Sequence, residues 1–220
     1  MNPVNKPHCV LFDLDGTLID TAPDLGYALN SLLAEHGRDT VAESEYRKYC
    51  SYGARGLLKL GFGIEDDDPQ YETLRQRFLD IYADNLSRGS RPFGGMITVL
   101  QTLLDHGRQW GIITNKPAFL TEPLMAQIEL PGTPCCLVSG DSAEKPKPDP
   151  APMLLAGKIS GHQPENCLYV GDSARDMQAA KAVNMPCVAA GWGYYLDDDD
   201  PHQWGGQYVL NEPLDLLQWI

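Results

Sequence analysis

The chain has no apolar run approaching the ~18 residues that a membrane-crossing helix needs. Its first stretch, Met1 to Pro7, is polar, and the apolar run that follows breaks at Asp13. Neither a transmembrane segment nor a signal peptide is expected, and a cytoplasmic location follows from that reading. Six cysteines, Cys9, Cys50, Cys135, Cys136, Cys167 and Cys187, form no CxxC pair and no Cys/His zinc spacing. They read as reduced thiols, mostly in short apolar runs where a free thiol behaves as a small core residue. No two of the five histidines stand at i, i+4, so a histidine-based metal site is not expected. Positive charge is scarce: 17 Lys+Arg against 30 Asp+Glu gives −13 with His neutral. A surface that acidic repels phosphate backbones and anionic lipid, which argues against nucleic-acid and membrane partners.

What remains is an ordinary soluble composition, 43% hydrophobic and 21% charged over 220 residues, enough for one domain plus an insertion or for two small domains. Cys9 to Phe12 is an unalternating apolar run that ends at Asp13 and a turn signal, Asp15-Gly16. The pattern recurs at Gly111 to Ile113, Cys135 to Val138, Leu168 to Val170 and Cys187 to Ala190, each followed by polar residues or glycine. Between these buried strands lie helical patterns, such as Val99 to Leu104 stopping at Gly107, and Ala174 to Val183 stopping at Asn184. The alternation predicts a doubly wound parallel α/β sheet. From Asp20 to Arg91 it fails. Leu25, Ala28, Leu29, Leu32 and Leu33 form one helical stripe, and Tyr71, Leu74, Phe78, Ile81 and Tyr82 another, with no strand recognisable between them. Residues 20–91 are expected to be an all-helical cap inserted after the first strand, with 1–19 and 92–220 forming the core. Such a cap would sit over the carboxyl ends of the strands, where open α/β sheets place their ligands.

Those strand ends carry Asp13 and Asp15, Thr114 and Asn115, Lys145, and Asp172 with Asp176. Singly each is weak, because Asp-Gly mostly marks turns. Together, the run Asp13-Leu14-Asp15-Gly16-Thr17, Thr114 after an apolar strand, Lys145-Pro146-Lys147-Pro148-Asp149-Pro150 and Gly171-Asp172 to Asp176 closely resemble the four motifs of the haloacid dehalogenase superfamily of aspartate-nucleophile phosphatases. Order and spacing match, and the resemblance runs from Val10 to the C-terminus. It implies a Rossmann-like core with a helical cap.

By that resemblance Asp13 is the nucleophile that forms an aspartyl-phosphate. Asp15, two residues on, can reach the leaving oxygen and serves as general acid and base. A cluster of carboxylates meets a phosphate dianion only through a cation, and hard oxygen ligands suit Mg²⁺. Its expected ligands are a side-chain oxygen of Asp13, the backbone carbonyl of Asp15, and Asp172, with Asp176 supporting them from behind. Thr114 and the Asn115 amide are expected to bind phosphoryl oxygens, and Lys145 to neutralise charge shared by Asp13 and the phosphoryl group. Lys147 is the neighbour that competes with Lys145; the Lys-Pro-x-Pro-Asp-Pro register begins at Lys145 and favours it.

The carboxylate at Asp15 disfavours dehalogenase chemistry, because the dehalogenases that resemble this chain lack it. The acidic runs Glu65 to Asp68 and Asp197 to Asp200 lack the alternation and glycine of a calcium loop and read as solvated loops. The short helical cap resembles that of phosphoglycolate phosphatases. The stretch Gly191-Trp192-Gly193-Tyr194, with Asp200 to Gly205, looks like the bacterial N-acetylmuramic acid 6-phosphate phosphatases. Both substrates are small carboxylated phosphoesters, and Arg55, in the Ser51-Tyr52-Gly53-Ala54-Arg55 loop of the cap, is a candidate reader of the carboxylate. The partner expected is thus a small phosphorylated metabolite, for a monomer or small homo-oligomer. A β-phosphoglucomutase-like phosphomutase shares the motifs and is the alternative. A phospho-acceptor signalling module gathers similar residues but is disfavoured by the early Asp13-x-Asp15 and the helical insertion.

Overall fold

The structure, a computed structural model, describes residues 6–220; residues 1–5 of the expected core lie outside the described residues. In chain order the strands are β1 (Cys9–Phe12), β2 (Ile19–Asp20), β3 (Arg91–Pro92), β4 (Gln109–Ile113), β5 (Leu137–Val138), β6 (Cys167–Gly171), β7 (Cys187–Ala190) and β8 (Val209–Leu210). Six of them form one parallel sheet in the order β5-β4-β1-β6-β7-β8. Chain order runs outward from β1 in one direction and then, beginning with β6, in the other. The reversal leaves a crevice beyond the carboxyl ends of β1 and β6, the topological switch point of a doubly wound sheet.

The strands do not alternate polar and apolar because both faces are covered. Val10, Phe12, Ile112, Val170 and Val188 pack on one side with Met96, Val99, Leu100 and Leu103 of α5 (Met96–Asp105). Cys9, Leu11, Ile113, Tyr169 and Cys187 pack on the other with Met153 and Ala156 of α7 (Ala151–Ser160) and Met177, Ala179 and Ala180 of α8 (Ala174–Ala182). A further helix, α6 (Ala118–Met125), follows β4. All six cysteines carry free thiols. No helix among the described residues is long and apolar enough to cross a membrane.

The chain leaves the sheet after β1 and returns before α5. Between lie α1 (Ala22–Glu35), α2 (Glu43–Tyr49), a 3-10 turn over Cys50–Tyr52, α3 (Gly53–Phe62) and α4 (Tyr71–Ala83). Apolar stripes of α1 and α4 face each other through Leu25, Leu29, Leu32, Leu74, Phe78 and Tyr82, all buried. The exit and return strands, β2 and β3, pair antiparallel as a two-residue ribbon, Ile19 opposite Pro92 and Asp20 opposite Arg91. Two residues carry no readable period, and Pro92 hides the pairing further. The strand expected over Cys135 to Val138 shortens to Leu137–Val138, with Pro134, which has no N–H, just upstream.

Candidate active site

The chain does not continue straight beyond β1. The Leu14 carbonyl accepts from the N–H groups of Leu18 (3.1 Å) and Ile19 (2.9 Å), and the Gly16 N–H donates to the Ile19 carbonyl (3.1 Å). This closed turn presents Asp13 and Asp15 at the switch point. Gly16 has φ +78°, and a Cβ there would lie 2.0 Å from Asp172 Oδ2. Gly193, on the other side, would place a Cβ 2.2 Å from that of Asp172. Two glycines thus let the β1 turn and the loop after β7 close around Asp172.

Asp172 directly follows β6 and is fully buried. Its Oδ2 accepts from the Tyr194 N–H at 2.8 Å, and its Oδ1 from Ser51 Oγ at 3.3 Å. Asp176, in the first turn of α8, accepts at Oδ1 from Lys147 Nζ (2.7 Å) and the Tyr169 hydroxyl (3.2 Å), and at Oδ2 from Ser173 Oγ. Three protein donors thus bind Asp176 against two on Asp172, and one of the three is the Lys147 ammonium, which suits a supporting role behind Asp13 and Asp172.

The lysine facing this cluster is Lys147. Its side chain is wholly buried, with Nζ 3.0 Å from Asp13 Oδ1 and 2.9 Å from the Ile113 carbonyl. Lys145, expected from the motif register, is exposed. The selection is made by Asn115. Its side chain donates to the Lys147 carbonyl (2.8 Å) and accepts from the Lys147 N–H (2.9 Å), fixing that residue against the end of β4 so that its side chain runs inward. The same clamp commits the Asn115 side-chain oxygen and one of its two amide hydrogens to the Lys147 backbone. Thr114 is buried, and its Oγ1 accepts the Lys116 N–H at 3.2 Å.

Asp15 is held by contacts that the motifs did not reveal. Lys116 Nζ lies 2.9 Å from its Oδ1 and 3.2 Å from its Oδ2, and Thr21 Oγ1 donates to Oδ1 at 2.6 Å. Burial would push the Lys116 ammonium down, but the Asp15 carboxylate and the Tyr82 hydroxyl outweigh it and hold its pKa above the ordinary lysine value. The signal available in the sequence was Lys116 itself, two residues beyond Thr114. Arg175 was also unforeseen; it donates to the Ser51 carbonyl and, at 3.1 Å, to Ser51 Oγ, pinning the 3-10 turn to α8.

Asp13, Asp15, Thr114 and Asn115 open into a cavity of about 320 Å³ roofed by α3, α4 and the turn before α3. Arg55 lines it together with Tyr52, Tyr71, Phe78 and Arg75. The Arg55 guanidinium is largely exposed and stands 3.4 Å from Asp66 and 3.9 Å from Glu65.

One carboxylate oxygen each from Asp13, Asp172 and Asp176 fall within 4.8 Å of one another, all buried. Burial pushes the Asp13 carboxyl up to about 6, with the Lys147 ammonium opposing and the charges of Asp176 and Asp15 adding. Burial, then the charges of Asp13 and Asp176, drive Asp172 well above the usual carboxylate range. Asp176 goes the other way: burial raises it, but Lys147 and Arg175 hold it below. Three carboxylates facing one buried ammonium leave two negative charges. A divalent cation fits that charge, and Asp13 and Asp172 retain oxygen lone pairs for it.

A family model described as haloacid dehalogenase-like hydrolase matches residues 10–190. The chain is 37% identical over 208 residues to an N-acetylmuramic acid 6-phosphate phosphatase of Pseudomonas aeruginosa, covering 94% of this chain and 92% of that one. It is 39% identical over 212 residues to a phosphoglycolate phosphatase of Xanthomonas campestris pv. campestris, covering 96% of both. Among solved structures, a predicted phosphoglycolate phosphatase from Haemophilus somnus superposes with a TM-score of 0.84 at 24% identity, over 97% of this chain and 98% of that one. That likeness bears on the fold.

Proposed function

We propose that this chain, which belongs to the haloacid dehalogenase-like hydrolase family and is a phosphoric monoester hydrolase, cleaves a small carboxylated phosphoester through an aspartyl-phosphate on Asp13, aided by Mg²⁺. The observation that carries the reading is the pairing of Asp13 and Asp15 at the switch point, one beside Lys147 and the other beside Lys116, both facing one roofed cavity.

In this reading a carboxylate oxygen of Asp13 attacks phosphorus, and the proton on Asp15 passes to the ester oxygen as the P–O bond breaks. Lys147, the Thr114 hydroxyl and the Asn115 amide take up charge on the phosphoryl oxygens. Asp15, now a carboxylate, withdraws a proton from the water that attacks the aspartyl-phosphate, which regenerates both groups. Asp13, the Asp15 carbonyl and Asp172 would hold the Mg²⁺. When bound it neutralises the phosphate dianion and the surrounding carboxylates. Residues 20–91 act as a cap that supplies the roof and most of the specificity.

Of the two substrates that the relatives' names offer, N-acetylmuramic acid 6-phosphate is favoured. The cavity of about 320 Å³ lies within the range, ~300–1,000 Å³, that encloses drug-sized ligands. A two-carbon phosphoester leaves most of it empty, whereas an amino-sugar phosphate fills it and meets the walls made by Tyr52, Tyr71 and Phe78. The test is kcat/KM measured side by side for N-acetylmuramic acid 6-phosphate, 2-phosphoglycolate and glucose phosphates. A lead of at least ~100-fold for the first is expected. Preference for 2-phosphoglycolate would overturn the choice of substrate, and absence of phosphate release from all three and from p-nitrophenyl phosphate would overturn the reaction.

A further inference from the structure

We propose that Lys116, itself oriented by Tyr82, is the residue that positions Asp15 for proton transfer. The inference rests on the role given to Asp15 above and adds to it two residues that no motif marks.

Lys116 Nζ has three hydrogen-bond donors. Its acceptors are the two oxygens of Asp15, at 2.9 and 3.2 Å, and the Tyr82 hydroxyl at 2.8 Å. Nζ also lies 4.5 Å from the centre of the Tyr82 ring. The lysine backbone is equally fixed. Its N–H donates to Thr114 Oγ1 (3.2 Å) and its carbonyl accepts from the Gly140 N–H (2.8 Å) and Thr121 Oγ1 (3.1 Å). Tyr82 comes from α4, is almost fully buried and stacks on Phe78. Asp15 is the one partly open member of the group, and it faces the cavity. The Asp15 carboxyl group is thus held by a rigid ammonium whose remaining donor is anchored in the cap.

This arrangement acts at the proton step. As the Asp15 proton goes to the ester oxygen and the P–O bond breaks, a negative charge appears on Asp15 within 2.9 Å of an ammonium that does not have to move. The benefit scales with how much the leaving oxygen needs that proton. It is large for an alkyl phosphate, whose alkoxide is a poor leaving group, and small for p-nitrophenyl phosphate, whose phenolate leaves unaided.

Leaving-group dependence is therefore the measurement. kcat/KM is determined for a series of phosphomonoesters from p-nitrophenyl to alkyl, with wild type, Asp15→Asn, Lys116→Met and Tyr82→Phe. Asp15→Asn should depress alkyl esters far more than the p-nitrophenyl ester. Lys116→Met should steepen the dependence in the same sense, by ~10- to 100-fold across the series. Tyr82→Phe, which removes one oxygen and keeps the ring, should do so by up to about tenfold, and it tests the proposal even if Lys116→Met fails to fold. If Lys116→Met and Tyr82→Phe slow every ester by one common factor, the residues are merely structural and the proposal falls. If Asp15→Asn itself leaves the dependence unchanged, Asp15 is not the acid, and that earlier reading fails before this one.

Discussion

The ammonium of Lys147 lies 2.7 Å from the carboxylate of Asp176, and neither side chain has any exposed surface. Removing one member of a buried ion pair leaves the other desolvated without compensation, which typically destabilises by ~3–5 kcal/mol. Lys147 also faces Asp13, so Lys147→Met strips the cation from both acids. It should lower the urea midpoint by an amount in that range and abolish turnover. Lys145→Met, at an exposed position two residues away, should stay within ~0.5 kcal/mol of wild type and retain its kcat. Equal effects of the two substitutions would contradict the assignment.

The same pair shows where the sequence is informative and where it is silent. Asp13, Asp15, Asp172 and Asp176 are legible because apolar runs and one helical turn place them at strand ends, while their roles come only from the resemblance to the four phosphatase motifs; the parallel sheet is legible from its unalternating apolar runs. Lys145 and Lys147 sit in a Lys-Pro-Lys-Pro loop that has no period. What separates them is the Asn115 side chain gripping the Lys147 backbone from 32 positions away. Lys116 was hidden for a similar reason, since its meaning depends on Tyr82, which reaches it from α4 of the cap. Strands β2, β3 and β8, two residues each, lack the flanking apolar run that marks the equally short β5.

Stability should depend on pH in a way that metal reverses. The Asp13 carboxyl is raised from an ordinary 3.8 to about 6 in the folded chain. The folded state therefore binds this proton more tightly than the unfolded one. The stability so gained is full below about 3.8 and is lost as pH rises through about 6. Asp172 shifts in the same direction, and Asp176 in the opposite one. With EDTA present, urea unfolding should show stability declining from about pH 4 to about pH 6 as Asp13 loses its proton, by on the order of a few kcal/mol. Mg²⁺ at pH 7 should restore it, and Asp13→Asn should flatten the decline. A flat profile for the wild type would mean that Asp13 is not held in a desolvated acidic cluster.

Arg55 lines the cavity while pairing with Asp66 at 3.4 Å and Glu65 at 3.9 Å, its side chain 60% exposed. Exposed pairs of this kind contribute little, ~0.2–1 kcal/mol, so the guanidinium can exchange them for a substrate carboxylate. Arg55→Ala should leave the melting temperature nearly unchanged. It should raise KM for carboxylated phosphoesters by ~10-fold or more, and do so more strongly than for p-nitrophenyl phosphate. Equal increases for both would remove Arg55 from carboxylate recognition.

Gly16 offers the sharpest test of how the candidate metal centre is assembled. Its φ of +78° disfavours any side chain, and a Cβ would lie 2.0 Å from Asp172 Oδ2 and 2.8 Å from the Tyr194 ring. The left-handed conformation alone accounts for ~1–2 kcal/mol in Gly16→Ala. The collision adds a displacement of Asp172, whose Oδ2 is held by the Tyr194 N–H. Metal response should therefore suffer beyond what instability explains. The Mg²⁺ concentration for half-maximal activity should rise by ~10- to 100-fold, measured at a temperature where the variant is fully folded by circular dichroism. Gly37 separates backbone strain from contact. It also has positive φ, +63°, but a Cβ there meets nothing within 4 Å. Gly37→Ala should lose comparable stability and keep the wild-type Mg²⁺ response. If the two alanine variants respond to Mg²⁺ alike, the close approach of the β1 turn to Asp172 has no part in metal binding.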